Sequence, residues 1–190
     1  MNFNKHSHLE GRHALLSASQ YSWINYDDQK MYARYLAAAQ AARGTALHAL
    51  AHNAIKLGVK LAKSDPALSM YVTDGIGYKM ETEQTLFYSS NCFGTADTIS
   101  FRRNKLRIHD LKSGLGLTSP TQLFVYAALF CLEYSFSPWE IDIECRIYQN
   151  MQNGDPPVRV YIPTADEILH IMDRIIYLDK LIETIKEQEG

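Results

Sequence analysis

Residues 93–126, FGTADTISFRRNKLRIHDLKSGLGLTSPTQLFVY, read as a strand, a polar basic turn, a second strand, a glycine loop and a helix, and they carry charge where a buried sheet face needs apolar side chains. In the second strand, residues 106–112, the two-residue repeat of extended backbone sets Leu106, Ile108, Asp110 and Lys112 on one face and Arg107, His109 and Leu111 on the other. A face that begins as core ends as carboxylate and ammonium. Burying either charge alone costs several kcal/mol, so the two suggest an ion pair or a metal site. The first strand offers Asp97 behind a Gly-Thr-Ala run that lets backbone approach closely. If the strands pair as a hairpin around Arg102, Arg103, Asn104 and Lys105, Asp97 and Asp110 stand nearly equidistant from the turn and meet at the same sheet edge.

Two carboxylates beside a backbone carbonyl form the hard, oxygen-rich site that Mg²⁺ or Mn²⁺ prefers, and a lysine next to them orients or activates a water. That combination supplies metal-assisted hydrolysis of a phosphodiester. The spacing alone is equally satisfied by a strand-end salt bridge between Asp110 and Lys112, because Asp-x-Lys is short and common.

Four short motifs follow one another over roughly residues 40–150: Gly44-Thr45-Ala46-Leu47-His48, Gly94-Thr95-Ala96-Asp97, Asp110-Leu111-Lys112-Ser113-Gly114, and Gln122 four residues before Tyr126. Together they resemble the PD-(D/E)XK nuclease signature, and within it the RecB-like branch, with Ala96 where the motif has proline. The opening His13-Ala14-Leu15-Leu16-Ser17 is also similar to the start of phage proteins of this type. The resemblance implies an α/β (α+β) fold with a restriction-endonuclease-like core, a central mixed sheet of four or five strands flanked by helices. It implies Asp97 and Asp110 as metal ligands, joined by His48 and the Leu111 carbonyl, with Lys112 positioning the water. Gln122 and Tyr126 then face the substrate. The implied activity is Mg²⁺- or Mn²⁺-dependent hydrolysis of DNA, by an exonuclease more than an endonuclease, in phage recombination or DNA-end processing. A different class stays open: a nucleic-acid-binding or host-interaction module that keeps the fold without turnover.

Composition narrows the partners. A chain of 190 residues with 46% hydrophobic content supports one domain with a real core, and no apolar run reaches the length of a membrane span. The formal net charge of -2 argues against a broad nucleic-acid-coating surface, so DNA contact must be local. Arg102, Arg103 and Lys105, within one hairpin, are the candidates for phosphate contact; a solvated turn is the other reading. The first 12 residues are polar rather than signal-like, and three cysteines, Cys92, Cys131 and Cys145, suggest reduced thiols and a cytoplasmic home, that of a host if the chain is phage-encoded. Some RecB-like nucleases hold an iron–sulfur cluster with one early and several late cysteines. With no cysteine before Cys92 and no late group, no such cluster is expected here.

Along the chain, residues 1–62 read as mainly helical, 78–162 as the catalytic sheet and 164–188 as a carboxy-terminal helix, all in a single domain. Ser17 and Gln20 have capping-box spacing before a short helix carrying Tyr21 and Trp23, and Thr164 and Glu167 repeat it. An alanine-rich helical stretch over residues 29–61 is expected to break at Gly44. His48 and His52, four apart, share a helix face, and the missing glutamate after His48 argues against a zinc protease. His52 reads as a second-tier site residue or a core or capping histidine. Glu83 reads as a second-tier site residue or an exposed strand charge. Ser64-Asp65-Pro66 and Asp74-Gly75-Ile76-Gly77 read as turns, and Pro120 as the first turn of a helix over residues 121–134. The broad apolar stripe through Ile168, Ile171 and Ile175 packs on the sheet and leaves room for a second copy in a homo-oligomer.

Overall fold

The computed structural model describes residues 5–9, 11, 14–114, 116–151 and 154–189. His13, which opens the amino-terminal resemblance, and Leu115 of the glycine loop lie outside the described residues. The chain divides into two compact units, Met1–Arg43 and Gly44–Gly190.

In the first unit a 3₁₀ helix spans Ala18–Asn25, and the capping box expected at its start does not form. Ser17 Oγ bonds Ser19 Oγ at 2.9 Å instead of a helix N–H, and Gln20 leaves the helical region altogether. Trp23 Nε1 donates to the Ser17 carbonyl at 2.9 Å, so this aromatic ring fastens its own turn. Arg34 ties the segment down by donating to the Leu15 carbonyl at 3.2 and 3.0 Å.

Helix α1 spans Asp28–Leu57 and runs through Gly44 without the expected break. One interior glycine costs only about 1 kcal/mol against alanine, less than ending a helix. Gly44 has a packing reason: a Cβ there would lie 2.9 Å from Ser113 Oγ, in the loop that follows Lys112. A second correction concerns the two expected turns, which are the start and the end of α2 (Pro66–Gly77). Asp65 Oδ1 accepts from Leu68 N at 3.0 Å as N-cap, and Pro66 occupies the first turn, where its missing N–H costs nothing. Gly75 lets α2 approach α1, for a Cβ there would sit 2.6 Å from Ile55 Cδ1. Gly75→Ala is therefore expected to destabilise the protein by about 1–3 kcal/mol despite alanine's better helix propensity, read as a lower thermal midpoint.

Five strands follow, β1 (Glu81–Ser89), β2 (Cys92–Arg102), β3 (Lys105–Lys112), β4 (Asp142–Gln149) and β5 (Val158–Tyr161), forming one sheet in sequence order. The pairs β1–β2, β2–β3 and β4–β5 are antiparallel, and β3–β4 is parallel. The parallel pair is connected by α3 (Thr121–Tyr134), as a crossover requires. The fold is thus the expected α+β type, a five-stranded mixed sheet flanked by helices. The β2–β3 hairpin turns at Arg103 and Asn104, both with left-handed φ (52° and 59°), the two-residue geometry that matches strand twist.

The sheet carries a core on each face. Under α3, Leu86, Leu106, Ile108, Cys145 and Ile147 pack against Leu123, Ala127 and Phe130. On the other side Ala51, Ile55, Leu68 and Val72 from α1 and α2 cover Leu111 and Tyr148. Full burial of each large side chain contributes about 1.5–3 kcal/mol. Helix α4 (Ala165–Glu189) opens on the capping box that the sequence announces: Glu167 N donates to Thr164 Oγ1 at 3.2 Å, and Thr164 N to Glu167 Oε2 at 2.7 Å. Ile168 is its one fully buried residue among those described. No helix among the described residues is long and apolar enough to cross a membrane.

Candidate active site

Hairpin register brings the acids together. Thr98 pairs with His109, so the next step along the ladder sets Asp97 beside Asp110 at the end of the strands away from the turn. Leu106 and Ile108 belong to the core under α3 and Leu111 to the core under α2, so the alternation read from the sequence holds on both faces. Asp110 is buried, 5% exposed. Lys112 Nζ lies 2.9 Å from its Oδ1, while Oδ2 is buried with no partner. Burial, and next the charge of Asp97, push the Asp110 carboxyl up to about 6. The strand-end ion pair therefore forms but leaves half of a buried carboxylate unanswered.

Around this centre the motif residues connect. Asp97 Oδ2 accepts from Leu111 N at 3.3 Å and lies 3.2 Å from His48 Nδ1, on α1. The hydrogen bond to Asp97 raises the His48 pKa above its ordinary value against the opposing effect of burial. A strand residue sends its N–H and C=O to the same side, so the Leu111 carbonyl also faces the Asp97 side. Lys112 Nζ donates to Gln122 Oε1 at 3.3 Å, Gln122 Nε2 to Tyr126 OH at 3.1 Å, and Tyr126 OH to the Thr95 carbonyl at 2.7 Å. Gly94 is small because Tyr126 needs the space: a Cβ would stand 2.9 Å from its Cε1. One turn along α1, His52 Nδ1 lies 3.5 Å from Glu83 Oε2. Glu83 holds a left-handed φ of 54°, a conformation that costs a non-glycine residue about 1–2 kcal/mol, and the β1–β2 pairing passes from Thr82↔Thr98 to Gln84↔Ala96 around it. A cleft of about 450 Å³ is lined by His48, His52, Tyr71, Glu83, Thr85, Thr95 and Asp97.

Not every candidate joins the centre. Lys105 Nζ lies 2.6 Å from Glu144 Oε2, so this ammonium already has a partner within the sheet. Arg102 and Arg103 stay exposed at the hairpin tip; Arg102 is five residues from Asp97 along β2, hence about 17 Å away, and Arg103 follows it in the turn. Sequence reasoning also missed Gln149. At the end of β4 it pairs with Lys112, and its buried amide donates to the Gly114 and Gly116 carbonyls at 2.6 and 2.8 Å, fixing the loop between Lys112 and α3. The available signal was the one used for Asp110: a polar residue closing an apolar face after Ile143, Cys145 and Ile147.

No protein-family model matches the chain, and neither a curated protein nor a solved structure matches it. The site therefore stands on its own geometry. Among the described residues no three His, Cys, Asp or Glu side chains converge as a ready-made ion cage.

Proposed function

We propose that the protein is a Mg²⁺- or Mn²⁺-dependent deoxyribonuclease of the PD-(D/E)XK type, acting at DNA ends in phage recombination or end processing. The observation that carries the reading is the buried, unpartnered Oδ2 of Asp110 beside Asp97, an acceptor-only position that a cation satisfies. Asp97, Asp110 and the Leu111 carbonyl would hold the ion. When bound, it would supply charge stabilisation at the phosphodiester and a nucleophilic water at neutral pH. His48, expected as a further ligand, would instead orient Asp97 through its Nδ1 contact, since the pairing with that carboxylate favours the protonated ring. Lys112, held between Asp110 and Gln122, would present its ammonium to the attacking water and the scissile phosphate. Gln122 and Tyr126 fix that lysine from α3. The three free thiols, Cys92, Cys131 and Cys145, suit a reducing compartment such as the cytoplasm.

The test is digestion of a 5′-labelled duplex and of its single strands, with Mg²⁺, Mn²⁺ or EDTA. Stepwise shortening that needs metal supports the reading. Arg102 and Arg103 would touch phosphates at a distance from the cut. Replacing both with alanine is expected to weaken DNA binding for all sequences alike and to reduce its log–log salt slope by nearly two, with single-turnover cleavage of bound DNA unchanged. An unchanged slope removes them from the interface.

A further inference from the structure

Phe87 and Phe93 are 51% and 61% exposed, unusual for phenylalanine, and they face each other across β1 and β2. Their rings stack with centroids 6.4 Å apart and planes 28° from parallel. Two positions nearer the acids on each strand come Thr85 and Thr95, whose hydroxyls bond at 3.1 Å. Strand alternation places the threonine pair and the phenylalanine pair on the same face, and the threonines line the cleft that holds His48 and Asp97. A flat aromatic step thus continues the cleft, and Phe93 lies four residues, about 13 Å, from Asp97. The floor between them carries only small hydroxyl side chains.

Resting on the reading of Asp97 and Asp110 as a nuclease centre, we propose that Phe87 and Phe93 form a base-stacking platform for unpaired nucleotides of the strand that enters the cleft. The separation corresponds to about four stacked nucleotides at ~3.4 Å per step, or fewer in an extended strand. Aromatic faces hold single strands by stacking on any base, worth enough per base to matter in a chain of net charge -2. A partner's β-strand fits this place less well, although β1 is a sheet edge. The Phe87 N–H is taken by Glu133 Oε2 at 2.8 Å, and the Thr85 carbonyl by Gln84 Nε2 at 2.8 Å, so those ladder positions are already filled.

The experiment compares wild-type protein with Phe87→Leu/Phe93→Leu, which keeps apolar bulk and removes the π faces, and with Phe87→Trp/Phe93→Trp. Binding of a fluorescein-labelled 12-mer of thymidylate, and of the same backbone made abasic, is measured in EDTA so that no cutting occurs. Wild type should prefer the strand with bases about tenfold or more. The leucine pair should bind both strands equally with an unchanged salt slope, and the tryptophan pair should restore the preference. Equal binding of the two strands by wild type, or full preference in the leucine variant, overturns the platform. So does a wild-type dimer that the leucine variant converts to monomer, since the rings then belong to a self-interface. If wild type cleaves DNA while the leucine variant is unaffected in binding, only the platform falls. If wild type neither binds nor cuts any DNA with any metal, the nuclease reading falls with it.

Discussion

Asp110→Asn is expected to lower cleavage by about 10³-fold or more and, in the same protein, to raise thermal stability. Both effects have one cause. The wild-type carboxyl is buried beside Asp97, and its pKa is pushed up to about 6 from 3.8. A carboxyl whose folded pKa is raised binds its proton more tightly folded than unfolded, so the stability it confers is complete at acid pH and is lost as pH rises through about 6. The shift corresponds to about 3 kcal/mol of destabilisation at neutral pH, with the opposing effect of Lys112 already included. The amide keeps the shape and removes the charge. The loss runs from about pH 3.8, where the unfolded carboxyl ionises, to about pH 6, so unfolding midpoints of the two proteins measured in EDTA should nearly coincide at pH 3 and separate fully at pH 8. Lys112→Ala should also abolish turnover while sparing metal affinity, whereas loss of Asp110 weakens it; full activity in either variant contradicts the assignment.

The second large effect falls on the opposite face of the sheet. Arg146 donates to Asp74 Oδ2 at 2.7 Å, to Glu144 Oε1 at 3.0 Å through Nε, and to the Tyr78 hydroxyl at 3.1 Å. Tyr148 OH gives its one proton to Asp74 Oδ2 at 2.5 Å, so it accepts from His109 Nδ1, 3.3 Å away. Arg146→Met leaves Asp74 and Glu144 with less compensation in a site where the side chains are 18%, 27% and 10% exposed. Breaking one partner of such a buried pair costs about 3–5 kcal/mol, and Glu144 keeps Lys105, so the lower end applies. The expected result is a fall of roughly 6–12 °C in the unfolding midpoint. A fall under about 2 °C would show that the network is not what fastens α2 to β4. His109, fully buried, has its pKa pushed down to about 3 by burial, and next by Arg146. Such a group stays neutral when folded, so it subtracts stability as pH falls below 6.5, the reverse of Asp110.

Much of the sheet half was legible because extended backbone has a period of two. Alternation in residues 106–112 separated core from charge, the Arg103-Asn104 turn set the register, and the register alone placed Asp97 beside Asp110. The helical half was less legible. Asp, Pro and Gly serve turns and helix ends alike, and only the closeness of Gly75 to Ile55 shows that residues 66–77 are a packed helix. Gly44 misled for a related reason, since the sequence shows the missing side chain but not Ser113 lying against it. The ion pairing of Lys105 with Glu144 depended on β3 and β4 being parallel neighbours, a relation that spans 39 positions and leaves no local trace. Gln149 was hidden for the same reason, although its place on the strand face matches that of the acid that was found.

The most direct test of the central claim is a metal titration of DNA digestion with wild type and Asp110→Asn side by side. Wild type is expected to degrade labelled linear duplex or its single strands only when Mg²⁺ or Mn²⁺ is added, and the asparagine protein, folded and at least as stable, is expected not to. Cleavage that persists in EDTA, or an asparagine protein that cuts as fast as wild type at every metal concentration, would contradict the claim.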